Sequence, residues 1–285
     1  LLLKENQNMF LLDRRSFLHM SAAAGLGAGA MTLLPGQAAA GVSAADVFTA
    51  DAMGGNVDST VIVGDEAVVL IDAQFTEGNA TRLADLIAAI GKRLETVFIT
   101  HAHPDHYSGL PLFRARFPEL RAVTHPLILP LLPGEIGPVE ALGETHLLLD
   151  GERLEVLEPM HGDTDLISAV HIPALDTLIA SDIAYTDTHV WVRENLTVER
   201  MDLWRASLDR LEAIGARIVV PGHRAETSAN DASVFTYTRA YLDLWQRALV
   251  ETDSADALRA RLMGGRETLG LGFAVDMAVA AVYPE

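Results

Sequence analysis

Residues 97–109 read Val-Phe-Ile-Thr-His-Ala-His-Pro-Asp-His-Tyr-Ser-Gly, and no other stretch limits the possible folds so tightly. Val97, Phe98 and Ile99 are β-branched or aromatic and uncharged, the composition of a short buried strand. Four side chains able to bind a metal, His101, His103, Asp105 and His106, follow at once. A buried strand holds its end rigid, and the loop beyond it can turn its side chains inward, which is how sites are commonly built on a sheet. His101 and His103 can converge on one ion, while Asp105 and His106, further round the turn, can face a second. Pro104 stiffens the loop, and Gly109 lets the chain bend away. The bland alternative is a solvated loop rich in histidine, and four ligand types this close together weigh against it.

Three more potential ligands follow in order, each just past an apolar run that reads as a strand: His161 in Met160-His161-Gly162-Asp163-Thr164, Asp182 in Ala180-Ser181-Asp182-Ile183, and His223 in Val220-Pro221-Gly222-His223. His-Ala-His-Pro-Asp-His at residues 101–106 resembles the HxHxDH signature of the metallo-β-lactamase superfamily, and these later residues fall where that family has its third, fourth and fifth motifs. The resemblance covers roughly residues 46–224. It implies an α/β fold, the four-layer αβ/βα sandwich of that family. It also implies a ligand set: His101, His103 and His161 on one ion, Asp105, His106 and His223 on the other, and Asp182 bridging. Asp72, at the end of another apolar run, resembles the family's strand-end aspartate that supports the ligand loop. Ser181 departs from the glycine usual before the bridging aspartate.

The resemblance further implies a hydrolase. An all His/Asp set suits two zinc ions, and iron or manganese would also fit. Two ions roughly 3.5–4 Å apart lower the pKa of a shared water enough to give a nucleophile at neutral pH. Asp105 is the candidate catalytic group, orienting that nucleophile or passing a proton to the leaving group. The expected substrate is a small molecule with a carbonyl centre, a lactone, ester or amide, with β-lactams within range. Class B β-lactamases of the family have cysteine, or no bridging aspartate, where Asp182 stands, which argues against a dedicated resistance enzyme. Glutathione-thioester hydrolases grip their substrate with basic residues, and Lys92 is the only lysine here beyond Lys4. Two other readings compete: a mononuclear iron oxygenase of the persulfide-oxidising kind, with His101, His161 and Asp182 as ligands, and a non-catalytic binding protein.

Composition narrows the partners. With a net charge of −18 and no basic run, the chain offers nothing to follow a nucleic-acid backbone. With no cysteine it has neither disulfides nor thiolate chemistry. Asp13-Arg14-Arg15-Ser16-Phe17-Leu18-His19 resembles a twin-arginine export signal; a Gly/Ala-rich stretch over residues 20–34 and Ala38-Ala39-Ala40 follow it. That stretch is shorter than the roughly 20 apolar residues a membrane span needs. The expectation is a signal peptide over residues 1–40, a hydrolase domain over residues 41–285, a periplasmic or secreted address and no stable membrane insertion. The sequence opens on Leu1, and Met9 is an alternative start.

Periodicity predicts a hairpin of strands over residues 61–63 and 67–71, a helix over 81–90, strands over 95–100 and 121–124, and a short helix over 110–117 between them. Residues 126–149, rich in proline and glycine, read as a loop flanking the site. Strands are expected over 154–157, 167–172, 177–180 and 217–220, with helices over 199–214, 231–250 and 254–263. His189, in a polar and aromatic loop with Asp187 and Trp191, is a candidate substrate contact. His125, His146 and His171 read as ordinary hydrogen-bonded or surface histidines.

Overall fold

Strict alternation of buried side chains sets the layers. In the third strand, Ala67–Ile71 (β3), Ala67, Val69 and Ile71 point into one apolar core while Val68 and Leu70 point into another. In the fourth, Arg93–Ile99 (β4), Phe98 joins the first core, and Val97 and Ile99 join the second. A strand buried on both faces must lie in a sheet covered on both sides. The structure is a computed structural model describing residues 41–284, so the export signal expected in residues 1–40 lies outside the described residues.

The first sheet has six strands in the order β1-β2-β3-β4-β5-β6. Its other members are Ala44–Thr49 (β1), Asp58–Val63 (β2), Arg121–Thr124 (β5) and Glu140–Ala141 (β6). The second has five in the order β11-β10-β9-β8-β7: His146–Leu149 (β7), Glu152–Val156 (β8), Val170–Ile172 (β9), Thr177–Tyr185 (β10) and Ile218–His223 (β11). Ile62, Val69, Ile71 and Phe98 of the first sheet meet Leu149, Leu154, Ile179 and Val220 of the second in the central core. Helices cover both outer faces. Glu77–Ile90 (α1) and Leu110–Arg116 (α3) place Leu83, Ile87 and Phe113 on the first sheet. Val198–Glu212 (α4), Ser233–Glu251 (α5), Ala255–Met263 (α6) and Gly272–Val282 (α7) enclose Trp204, Trp245 and Leu258 against the second. This is the expected αβ/βα sandwich.

Two differences from the sequence reading have local causes. Helix α1 begins four residues before the expected residue 81 because the Thr76 side chain caps it, accepting from the Asn79 N–H. His146–Leu149 is a strand, not loop: Leu147 and Leu149 are buried between the sheets while Leu148 is 58% exposed, and three consecutive leucines hide that alternation in the sequence. Among the described residues, no helix is long and apolar enough to cross a membrane.

Candidate metal centre

Strands β3 and β4 run parallel in one sheet, and β10 and β11 run parallel in the other. Their C-terminal ends bring together residues remote in sequence. His101 follows β4, and Pro104 opens a one-turn helix, Pro104–Tyr107 (α2), carrying Asp105 and His106. Asp182 lies within β10 and His223 ends β11.

Two clusters of ligand atoms result: His101, His103, Asp163 and Asp182 in one, and Asp105, His106 and His223 in the other. Asp182 touches both. Its Oδ1 lies 3.2 Å from His106 Nε2, and its Oδ2 lies 3.2 Å from His223 Nε2 and 3.6 Å from His101 Nε2. Asp105 Oδ2 stands 3.3 Å from His223 Nε2 and 3.8 Å from His106 Nε2. His103 Nδ1 stands 3.2 Å from Asp163 Oδ2.

Every one of these four histidines turns one ring nitrogen into the cluster and braces the other. His106 Nδ1 pairs with Asp72 Oδ2 at 2.7 Å, His223 Nδ1 with the Gly55 carbonyl at 2.7 Å, His103 Nε2 with Glu194 Oε1 at 3.0 Å, and His101 Nδ1 with Thr100 Oγ1 at 3.0 Å. Bracing of the outer nitrogen is how metal-binding imidazoles are held in one tautomer and orientation. Inside the clusters, His101 Nε2, His106 Nε2, Asp163 Oδ1 and Asp182 Oδ1 are buried with no hydrogen-bond partner. Orphaned buried polar atoms are costly, and a cation between them would satisfy all four. The donor set therefore fits metal ions. Charge agrees: burial alone would lower His103 and His223, yet the carboxylates facing them raise His103 to about 11 and His223 to about 10. A divalent cation would take the place of those protons.

The supports are equally specific. Asp72 sits at φ 63, in the left-handed region, and accepts from the Thr100 N–H at 2.8 Å and the Thr100 hydroxyl at 2.7 Å. Ser181 takes φ 49 within β10, the conformation that explains a glycine preference before Asp182, and its hydroxyl is held by Thr100 Oγ1 at 2.9 Å. Gly222 lies against Asp182 so closely that any Cβ would collide with the carboxylate. The Tyr185 hydroxyl, with a single proton to share, lies 2.8 Å from Asp163 Oδ2 and 2.9 Å from Asp182 Oδ2, and its ring stacks on His223. Burial first, then the neighbouring carboxylates, raise this phenol far above its ordinary value, so it stays a donor.

Two expected site residues stand elsewhere. His161 is outside both clusters: its Nε2–H donates to Asn195 Oδ1 at 2.7 Å, and Nδ1 lies 3.2 Å from Asp165. Asn195 also donates to the carbonyls of Gly162 and Asp163, at 3.2 and 3.0 Å, and the Asp163 N–H bonds the Asp182 carbonyl at 3.2 Å. The turn is thereby fixed with Asp163 inward and His161 outward. His189 is fully buried, its ring spanning the Tyr241 hydroxyl at 2.8 Å and the Arg266 carbonyl at 3.2 Å, so it faces no substrate. Asp163, Tyr185, Glu194 and Asn195 were missed. The one available signal was that His161 and Asp163 flank Gly162 symmetrically, leaving either able to point inward.

A family model described as the metallo-beta-lactamase superfamily matches residues 52–223. An atrochrysone carboxyl ACP thioesterase of Aspergillus fumigatus is 30% identical over 176 residues; the match covers 59% of this chain and 50% of that protein, so the chain spans about half the length of this relative. A metallo-beta-lactamase from Pontibacter korlensis superposes with a TM-score of 0.55 at 21% identity, covering 70% of this chain and 94% of that one. A metallo-beta-lactamase family protein from Thermus thermophilus does so with a TM-score of 0.56 at 22% identity, covering 79% and 87%. At such identities the structures speak for the fold alone.

Proposed function

We propose that this chain, which belongs to the metallo-β-lactamase superfamily, is a dinuclear metal-dependent hydrolase acting on a carbonyl substrate. The observation carrying this reading is the set of four braced histidines around orphaned inner atoms, arranged in two clusters that share Asp182. His101, His103 and Asp163 would hold one ion, Asp105, His106 and His223 the other, with Asp182 between them. Asp163 in place of His161 makes the first position richer in oxygen, which favours manganese or iron in competition with zinc. The ions, when bound, supply a hydroxide at neutral pH and polarise the carbonyl oxygen.

The chain's own residues do the rest. Tyr185 fixes both Asp163 and Asp182 through one hydroxyl and so sets the spacing of the two halves. Burial would raise Asp105, but the imidazoles of His106 and His223 outweigh it and hold the carboxyl below its usual range. With 24% of its side chain exposed, Asp105 lies on the open side of the centre, where its carboxylate would hold the ion and orient the nucleophile by accepting a hydrogen bond. An ester, thioester or lactone suits this arrangement; the thioesterase relative adds the thioester to the range expected from sequence. The mononuclear iron reading required His161 as a ligand, and the ring is engaged elsewhere.

The test is metal content by elemental mass spectrometry on protein purified without added metal, followed by hydrolysis of lactones, esters, thioesters and β-lactams before and after chelation. Near two ions per chain, with activity lost to the chelator and restored by metal, is the expected result. One ion and no hydrolysis of any class would sink the reading. We also propose export through residues 1–40; Arg14→Lys with Arg15→Lys should hold the protein in the cytoplasm, and unimpaired export would refute the twin-arginine route.

A further inference from the structure

A pair of aromatic rings spans the mouth of the centre from one half to the other. The Trp191 ring meets His103 edge-on with centroids 6.1 Å apart, and meets Phe273 at 6.2 Å. Phe273 reaches the other half: a carbon added at Gly55 would lie 4.0 Å from Phe273 Cε1 and 3.9 Å from His223 Cε1. Phe273 is 52% exposed. Large apolar side chains grouped this way beside a reactive centre present area rather than charge, the usual make-up of a small-molecule pocket wall.

The wall is held in place. Gly270 forms a β-bridge with Thr188, and its carbonyl accepts from the His189 N–H at 2.9 Å. The His189 ring ties the Arg266 carbonyl to Tyr241. Leu271, at φ 61, then turns the chain so that α7 opens at Gly272 with Phe273 in its first turn, beside Trp191. His189 thus serves as a positioning residue for the C-terminal segment.

We propose that Trp191 and Phe273 form the acyl-side wall of the centre, and that the substrate carries an apolar acyl or aryl group next to its scissile carbonyl. This inference rests on the hydrolase reading, and two readouts separate their failures. The first is kcat/KM of metal-loaded protein on p-nitrophenyl acetate, butyrate, hexanoate and octanoate. Each methylene buried on the wall is worth roughly fourfold, so the wild type should rise steeply with chain length. Phe273→Ala should lose about tenfold on the octanoate ester and much less on the acetate ester. Phe273→Leu should recover part of the slope, and metal content should match wild type in each variant.

The second readout needs no hydrolysis. The chain has three tryptophans, and Trp204 and Trp245 are wholly buried, so Trp191 is the one open to a ligand. Added 1-octanol, with ethanol as the short control, should shift the emission saturably in wild type and not in Trp191→Phe. Ester hydrolysis with no dependence on chain length, or a slope unchanged in Phe273→Ala, would overturn the wall and leave the hydrolase standing. If no ester is cleaved, the hydrolase reading is decided by the wider substrate panel, and octanol decides the wall: a saturable shift weakened in Phe273→Ala supports it, and no shift overturns it.

Discussion

The two halves of the centre share Asp182 and each contain two imidazoles, yet they are supported by different parts of the molecule. His106 and His223 are 0% and 3% exposed, braced by Asp72 at the end of β3 and by the Gly55 carbonyl. His103 is 19% exposed and is braced by Glu194, itself 37% exposed, from the long loop between β10 and α4. Both imidazoles of one half are braced by buried groups, Asp72 and the Gly55 carbonyl; in the other, His101 is equally buried and braced by Thr100, and only His103 leans on a loop. A ligand fixed by a packed core loses little freedom when a metal binds, whereas a loop must be ordered to the same degree. The first ion should therefore be the more easily removed, and the oxygen-rich half the more selective for harder cations.

The broadest way to break this comparison is to remove what the halves share. Asp182→Ala should strip both ions and reduce kcat/KM on the order of 10³-fold. Elemental analysis checks it, and retention of one ion would show that the halves are independent. Asp72→Ala comes next. It unpairs His106 and both Thr100 donors, costing about 3 kcal/mol of stability and roughly 10- to 100-fold in affinity for the second ion. Thermal unfolding and competition with a chelator measure the two effects.

Glu194→Ala should weaken the first ion by roughly tenfold while the melting temperature stays near wild type, because the carboxylate is partly solvated. A chelator titration followed by metal analysis should then show the first ion leaving at lower chelator. Simultaneous release would erase the distinction between the halves. The smallest effect on the metals is expected from His161→Ala: unchanged metal content, with about 1–2 kcal/mol of stability lost as the Asn195 Oδ1 acceptor is left without its donor. Loss of an ion in that variant would return His161 to the ligand set in place of Asp163.

Reading the sequence went furthest where function depends on residues close together. Residues 97–109 carry strand, turn and four ligand types in one uninterrupted run, so their chemistry is written locally. The αβ/βα layering came from the family resemblance and not from a visible alternation: β3 and the end of β4 are apolar on both faces, so the two directions of their side chains show only in the folded sheet. The carboxylate that completes the first cluster was not legible. His161 and Asp163 lie either side of Gly162, and their directions depend on Asn195, more than thirty residues on, bonding both carbonyls of the turn. His189 misled for a related reason: a histidine in a polar loop looks available until Tyr241 and Arg266, from the C-terminal region, enclose it.

By itself the sequence determined the strand end at residues 97–99 and the run of His101, His103, Asp105 and His106 after it; its resemblance to the metallo-β-lactamase superfamily supplied the sandwich and the places of Asp182 and His223. Local composition suffices for that run because its four side chains share one turn after a single strand. Tertiary structure alone decided the place of Asp163 in the first cluster, the bracing of each imidazole and the approach of Trp191 to Phe273. Those depend on contacts between segments far apart in the chain, where geometry is set by packing and not by neighbouring residues.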